Sequence, residues 1–161
     1  MRFLTFVDVH QDKKLHQELI KRATENDVDF IICAGDFSTF GKGAIEFLRD
    51  FKNTGKKLYL IPGNHEDHLD FAALLQPYTH CINLHRKALH IEDYIFLGYG
   101  GNGFSQQDEE FRKIAREWYG KYKGKKIVLV THGPPFDTKL DKLPQGHVGH
   151  FDYRKFIIRI E

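Results

Sequence analysis

The chain has little of several things that would settle its class at once. Two cysteines in 161 residues, Cys33 and Cys81, are too few for a disulfide framework. Cys33 lies inside an apolar run, where a free thiol behaves as a small core hydrophobe. No apolar stretch approaches the ~20 residues that a membrane-spanning helix needs. Neither charge dominates: 24 Lys and Arg face 22 Asp and Glu, a formal net charge of +2. That balance supplies no field to gather nucleic acid or a membrane surface. A basic stripe studded with aromatics, the mark of a nucleic-acid channel, is missing too. With no internal repeat, low-complexity tract or linker, the length predicts one domain over residues 1–161. The opening Met1-Arg2-Phe3-Leu4 leads straight into a strand-like run, without the pattern of a signal peptide. A cytoplasmic location is the expectation.

What the chain does have is a recurring junction. Four apolar runs each stop at a residue able to bind a metal ion. Arg2 to Val7 meets Asp8 and His10; Phe30 to Ala34 meets Gly35-Asp36. Leu58 to Ile61 meets Pro62-Gly63-Asn64-His65, and Ile127 to Val130 meets Thr131-His132-Gly133. In an open α/β sheet the ligand crevice lies outside the carboxyl ends of the strands. Strand ends from one such edge would bring two Asp, one Asn and three His together.

Between the runs, helical patterns alternate with strands. Leu15, Leu19 and Ala23 share one helical face over Asp12 to Thr24, with Glu18 placed to pair with Arg22. Ala44, Phe47, Leu48 and Phe51 form a second stripe, and Asn53-Thr54-Gly55 reads as its stop. Strand–helix–strand–helix–strand predicts a parallel sheet. The middle of the chain reads differently. Cys81 to Leu84, Ala88 to Ile91 and Tyr94 to Leu97 are short runs with tight links, expected to pair antiparallel. The glycine run Gly98 to Gly103 lacks the Lys-Ser/Thr of a P-loop and reads as a crossing, not a nucleotide cradle. Ser105 and Asp108 suggest a capping box for a helix with Phe111, Ile114, Ala115 and Trp118 inward. Its outer face would carry Asp108–Arg112 and Glu109–Lys113 pairs. Gly133 to Gly149 is a long stretch of loop composition, and such loops inside compact domains are usually functional.

The donor types narrow the chemistry. Asp8 and His10 are two apart and would leave one face of an extended chain together. Carboxylate with imidazole suits manganese, iron, zinc or nickel better than calcium. Asp36 has two oxygens and could bridge two ions, while Asn64 offers a neutral carbonyl oxygen that leaves the ions strongly Lewis acidic.

In order, Asp8-x-His10, Gly35-Asp36, Gly63-Asn64-His65-Glu66 and Thr131-His132-Gly133 resemble the first four motifs of the calcineurin-like metallophosphoesterases. His132-Gly133-Pro134-Pro135 through Gly146-His147-Val148-Gly149 is similar to the small prokaryotic and archaeal branch. The resemblance implies an αββα sandwich, mixed central sheets flanked by helices. It also implies a phosphodiesterase or phosphomonoesterase acting on a small phosphoester with two divalent ions, Mn, Fe, Zn or Ni. Asp8 and His10 would hold the first ion, Asp36 would bridge, and Asn64 with His132 would hold the second. His65 would protonate the leaving group, and His147 would take a substrate-side role. Two ions about 3.5–4 Å apart clamp a phosphate and activate a water.

The family pattern continues into a Gly-His-x-His motif after one further strand, and no such motif occurs before Glu161. The expectation is a chain lacking its last strand or strands, so that each ion keeps three protein ligands. The alternative is that Gly146-His147-Val148-Gly149-His150 substitutes for the motif. His150 itself reads as a solvated residue at a helix start, over Phe151 to Ile160. His68 is a possible substrate contact, while His16, His80, His85 and His90 have no motif partners. Two other functions stay in view. One is a non-catalytic scaffold on the same fold, as in the retromer scaffold subunit, marked by loss of the acid histidine that His65 retains. The other is a nuclease, against which the near-neutral charge argues. Oligomeric state is not readable from the sequence.

Overall fold

Phe30–Cys33 is buried at every position, which is what a strand covered on both faces requires. In a computed structural model that describes residues 1–103 and 105–160, this strand is β2, in the middle of a parallel sheet. The sheet runs β1 (Phe3–Phe6), β2, β3 (Leu58–Leu60) and β4 (Cys81–Asn83), in that order. Helices α1 (Lys13–Ala23), α2 (Ala44–Asp50) and α3 (Phe71–Leu75) make the crossovers. Asp12 caps α1 by accepting from the Lys14 and Leu15 amides, and Lys21 and Arg22 sit in its last turn. The second sheet is mixed: β5 (Lys87–Ile91) and β6 (Tyr94–Tyr99) form an antiparallel hairpin, and β7 (Lys126–Thr131) lies parallel to β6. Helices α4 (Glu109–Tyr122) and α5 (Phe151–Ile160) cover it.

The layers follow from strand alternation. Ile31 and Cys33 join Leu19, Phe47, Leu48 and Phe51 under the first helices. Phe30 and Ile32 point the other way and meet Phe96, Val130 and Ile61 between the sheets. On the far side Ile95, Leu97 and Tyr99 pack with Phe111, Trp118 and Phe156. The result is helices, sheet, sheet, helices. No helix among the described residues is long and apolar enough to cross a membrane.

Several local expectations are corrected. β4 pairs parallel with β3, Leu58 against Cys81, instead of joining the antiparallel strands. The short helix α3, capped by Asp70 and burying Phe71 and Leu75 four apart, supplies the crossover that five residues of weak pattern concealed. The N-cap of α4 is Asp108, whose carboxylate accepts from the Glu110 and Phe111 amides, so Ser105 lies outside the helix. With Asp108 so engaged, Arg112 turns to Asp152 at 2.9 Å, and Lys113 pairs with Glu110. Arg22 likewise pairs with Glu25 and Asp27, not Glu18. The 133–149 stretch contains a small hairpin, β8 (Lys142–Leu143) against β9 (Gly146–His147).

Candidate metal centre

Beyond β1 and β2 the backbone leaves the sheet by left-handed residues rather than by continuing extended. Asp8 (φ 57°), His10 (φ 45°) and Asp36 (φ 52°) all have positive φ, a conformation uncommon for residues other than glycine and enriched at functional sites. The Asp8 amide donates to Gly35 O at 3.2 Å and the His10 amide to Asp36 O at 3.0 Å, which locks the two strand ends together. Asp8 and His10 therefore converge through paired turns, and not through the alternation of an extended chain.

The convergence centres on Asp36, which is 3% exposed. Its Oδ1 accepts from the His65 amide at 2.9 Å. Its Oδ2 accepts no hydrogen bond among the described residues, yet three imidazole nitrogens face it. His132 Nε2 lies at 3.5 Å, His10 Nε2 at 3.6 Å and His65 Nε2 at 4.0 Å. His10 Nε2 is also 3.7 Å from Asp8 Oδ1. Two donor triads, His10–Asp36–His65 and Asp8–Asp36–His132, each fit within 4.8 Å and share Asp36. Donors bound to one ion at ~2.1 Å lie about 3.0–3.4 Å apart. The observed spacings are a few tenths wider, too long for hydrogen bonds and close to those of atoms sharing a cation.

The orientation of the His132 ring sharpens the fit. Its Nδ1 is 2.9 Å from the Ala34 carbonyl, which can only accept, so Nδ1 carries the hydrogen. In the neutral ring Nε2 then presents a lone pair to Asn64 Oδ1 at 3.1 Å and to Asp36 Oδ2. Nε2, Asn64 Oδ1 and Asp36 Oδ2 then form a set of three lone pairs around one point, the arrangement that a cation accepts. An imidazole oriented by a backbone carbonyl is also the usual outer arrangement of a metal-ligating histidine. These residues fit divalent metal.

Glu66 is the residue the sequence reading did not assign. It is fully buried, and its carboxylate accepts from the amides of Asp36 (2.8 Å), Gly63 (2.9 Å) and Ser38 (3.0 Å), and from Ser38 Oγ (2.6 Å). It thus ties the turn after β2 to the turn after β3. Glycine is required at Gly63, where a Cβ would fall 2.1 Å from Asp36 Oδ1, and at Gly35, where one would meet the Gly63 backbone at 2.5 Å. The sequence shows only that Glu66 follows the Gly-Asn-His turn; its burial, which makes the carboxylate need several donors, is set by the tertiary structure.

The cleft over these groups has a volume of about 410 Å³, and Asp8, His10, Asp36, Asn64, His65 and His132 all line it. His147 does not line it among the described residues, although Val148, Gly149 and His150 do. His147 Nδ1 instead meets Asp141 Oδ1 at 2.8 Å. His150 is buried, not solvated, at 4% exposure: its ring stacks on Tyr153 and its amide donates to Pro134 O. His68 is exposed beside Phe40, with centroids 6.4 Å apart. His16 stacks on Phe47 and Phe51, His80 Nε2 meets Leu48 O, and His85 Nδ1 accepts from the Gly100 amide. His90 packs edge-on to Tyr122. A larger groove of about 620 Å³ between α4 and α5 contains no such donor cluster among the described residues; Arg112, Arg116 and Lys155 are among its lining residues.

The comparison with known proteins agrees with this architecture. An uncharacterized protein of Methanocaldococcus jannaschii, MJ1162, is 30% identical over 146 residues, 84% of this chain. The chain spans 65% of that relative's length. The crystal structure of TT1561 of Thermus thermophilus superposes with a TM-score of 0.75 at 15% identity, over 97% of this chain and 76% of that one. A second solved structure matches with a TM-score of 0.76 at 15% identity, over 98% and 79%. At such identities these two structures speak for the fold alone. The model of the calcineurin-like phosphoesterases matches residues 1–157, and with the strand-end cluster in place the chain belongs to that family.

Proposed function

We propose that the chain is a metal-dependent phosphoester hydrolase with a dinuclear divalent centre. The observation that carries this reading is Asp36 Oδ2, nearly buried, without a hydrogen bond among the described residues, and faced by three imidazoles. Asp8 and His10 would hold one ion, Asn64 and His132 the other, and Asp36 would lie between them. Bound there, two divalent ions supply Lewis acidity, neutralising phosphoryl oxygens and acidifying water.

The rest is the work of the chain. Glu66 holds the turns that carry Asp36 and Asn64 at fixed separation. His132 is kept in its Nε2-lone-pair form by Ala34. His65 lies at the cleft wall with its ring between Phe40 and His10, at centroid distances of 4.2 and 4.6 Å. Water adds to phosphorus and sheds a proton to solvent as the P–O bond to the leaving group breaks, while His65 would give a proton from its ring to the departing oxygen. Such general acids contribute ~10²–10⁴ in rate. The cleft volume is that of a small-molecule site, which supports a small phosphoester as substrate. A cytoplasmic setting suits the thiols of Cys33 and Cys81, both buried and unpaired; burial pushes Cys81 up to about 12.

The test is release of p-nitrophenolate from bis(p-nitrophenyl) phosphate and p-nitrophenyl phosphate with added Mn²⁺, Fe²⁺, Zn²⁺ or Ni²⁺. Hydrolysis that a chelator stops and His65→Ala slows by about 10²-fold or more is expected. Equal rates in parent and Asp36→Ala protein would sink the proposal.

A further inference from the structure

The larger groove, between α4 and α5, takes no part in the chemistry above and shares no lining residue with the metal cleft. Its two helices run side by side in one direction. Arg112 near the start of α4 meets Asp152 near the start of α5, and the Gly124 amide just past α4 donates to Ile160 O at the end of α5. Residues four apart share a helix face, so Arg112 and Arg116 line the groove from α4, and Lys155 and Arg159 from α5. Phe111 and Phe156, both buried, give it an apolar floor, and Tyr119 lines it one or two turns further along α4, 38% exposed. One carboxylate lines the groove, and it is already engaged: Asp152 Oδ2 accepts from Arg112 Nε and from the Asp108 amide, each at 2.9 Å. The side chains of Arg116, Lys155 and Arg159 have no ion-pair or hydrogen-bond partner among the described residues. The rest of the chain treats its arginines differently. Of the eight, Arg2, Arg22, Arg49, Arg86 and Arg112 each pair with a carboxylate. Two of the remaining three, Arg116 and Arg159, line this one groove.

We infer that this groove is a second binding site, for a small organic polyanion that carries a planar ring, of the kind of a nucleoside polyphosphate. Three uncompensated cations above an aromatic floor face one cavity of about 620 Å³, in a chain whose net charge is only +2. Guanidinium groups take phosphate oxygens in two-point contacts and stack on planar rings, and they do not lose their charge. The volume falls in the range of small-ligand pockets. Along α4 the lining runs from Arg112 to Tyr119, about 10 Å, which seats no more than two turns of a partner's helix. A compact anion therefore fits the groove better than a protein segment. Because the two sites are separate, this inference stands or falls independently of the hydrolase reading.

The experiment is calorimetric titration of the full chain with ATP, adenosine, tripolyphosphate and oligoglutamate, with amide shift mapping to locate what binds. ATP should bind at least about tenfold more tightly than adenosine or tripolyphosphate, and should shift the amides of Arg116, Tyr119, Lys155 and Arg159. Arg116→Gln combined with Arg159→Gln should weaken ATP binding by about tenfold or more at an unchanged Tm, because both side chains are exposed. Tripolyphosphate matching ATP would mean that the groove reads charge alone. Oligoglutamate binding without ATP would assign it to acidic protein segments. Either result overturns the inference, as do absence of ATP binding, a double variant that keeps its affinity, and shifts confined to His10, Asp36 and His65.

Discussion

Two of the buried aspartates in this molecule, Asp36 and Asp141, each meet histidine, and they are built in opposite ways. Asp141, 1% exposed, has both oxygens satisfied. Oδ1 accepts from the Thr138 amide and His147 Nδ1, each at 2.8 Å, and Oδ2 from the Gly149 and Asp137 amides at 2.9 and 3.1 Å. Burial alone would raise its pKa, but those donors outweigh it and hold the carboxyl well below the usual range. Asp36 is buried nearly as deeply, yet among the described residues its Oδ2 accepts no hydrogen bond, and three imidazole nitrogens stand 3.5–4.0 Å from it. One carboxylate is closed and serves as a latch for the 133–149 segment. The other is left open, and an open buried carboxylate is the kind of group that a cation would satisfy. Proximity of Asp and His does not by itself distinguish the two; the count of donors on each oxygen does.

The largest expected effect tests the open site. Asp36→Ala should lower metal-dependent phosphoester hydrolysis by at least about 10³-fold, since it removes the donor common to both triads. It should also abolish the rise in Tm that Mn²⁺ produces in the parent, read by differential scanning fluorimetry. A metal-induced rise retained in the variant would break the comparison.

The closed site should respond in stability. Asp141→Ala leaves the Thr138 and Gly149 amides without their partner and should lower the urea midpoint of unfolding clearly. In metal-free protein Asp36→Asn should cost less than about 0.5 kcal/mol or stabilise, because it removes a buried carboxylate whose Oδ2 accepts no hydrogen bond among the described residues. Equal losses at both positions would show that the two aspartates do the same job.

A third effect is acid sensitivity away from both sites. Burial, with Arg86 nearby, pushes His85 down to about 4, and its neutral Nδ1 accepts from the Gly100 amide. The unfolded chain then binds more protons than the folded one between about pH 6.5 and 4, so stability falls as pH is lowered through that window. The loss should be about 2 kcal/mol once solvent screening is allowed for. His85→Asn, which keeps an acceptor that does not titrate, should flatten the profile. The smallest effect belongs to the rim. Phe40→Asn relieves a left-handed phenylalanine but loses its stack on His65, so Tm should shift by only a few degrees, in contrast to Asp141→Ala.

Much of this was readable without coordinates, and the misses have common causes. The alternation of strands and helices up to Leu60 and the antiparallel pairing of Ala88–Ile91 with Tyr94–Leu97 rest on local pattern, and the structure has them. β4 was misassigned because its partner is chosen by a five-residue helix too short to show a period. The ion pairs of α4 and α1 shifted because spacing along a helix takes no account of acceptors from elsewhere, such as Asp152 and Asp27. His150 read as solvated because nothing local shows that Tyr153 and Pro134 enclose it.

The order of apolar runs and polar stops, a property of the one-dimensional chain, determined the layers and named the donors that meet at one edge: Asp8, His10, Asp36, Asn64, His65 and His132. Hydrophobic periodicity is local, so it survives in the sequence. Tertiary structure alone decided which carboxylate is satisfied and which is left open, where Glu66 fastens two turns, and that Phe40 stands exposed against His65. Those outcomes depend on donors and rings brought together from strand ends about thirty residues and more apart, as in the hydrogen bonds from Asp36 to Glu66 and from His132 to Ala34. Nothing in the local pattern of any one segment encodes them.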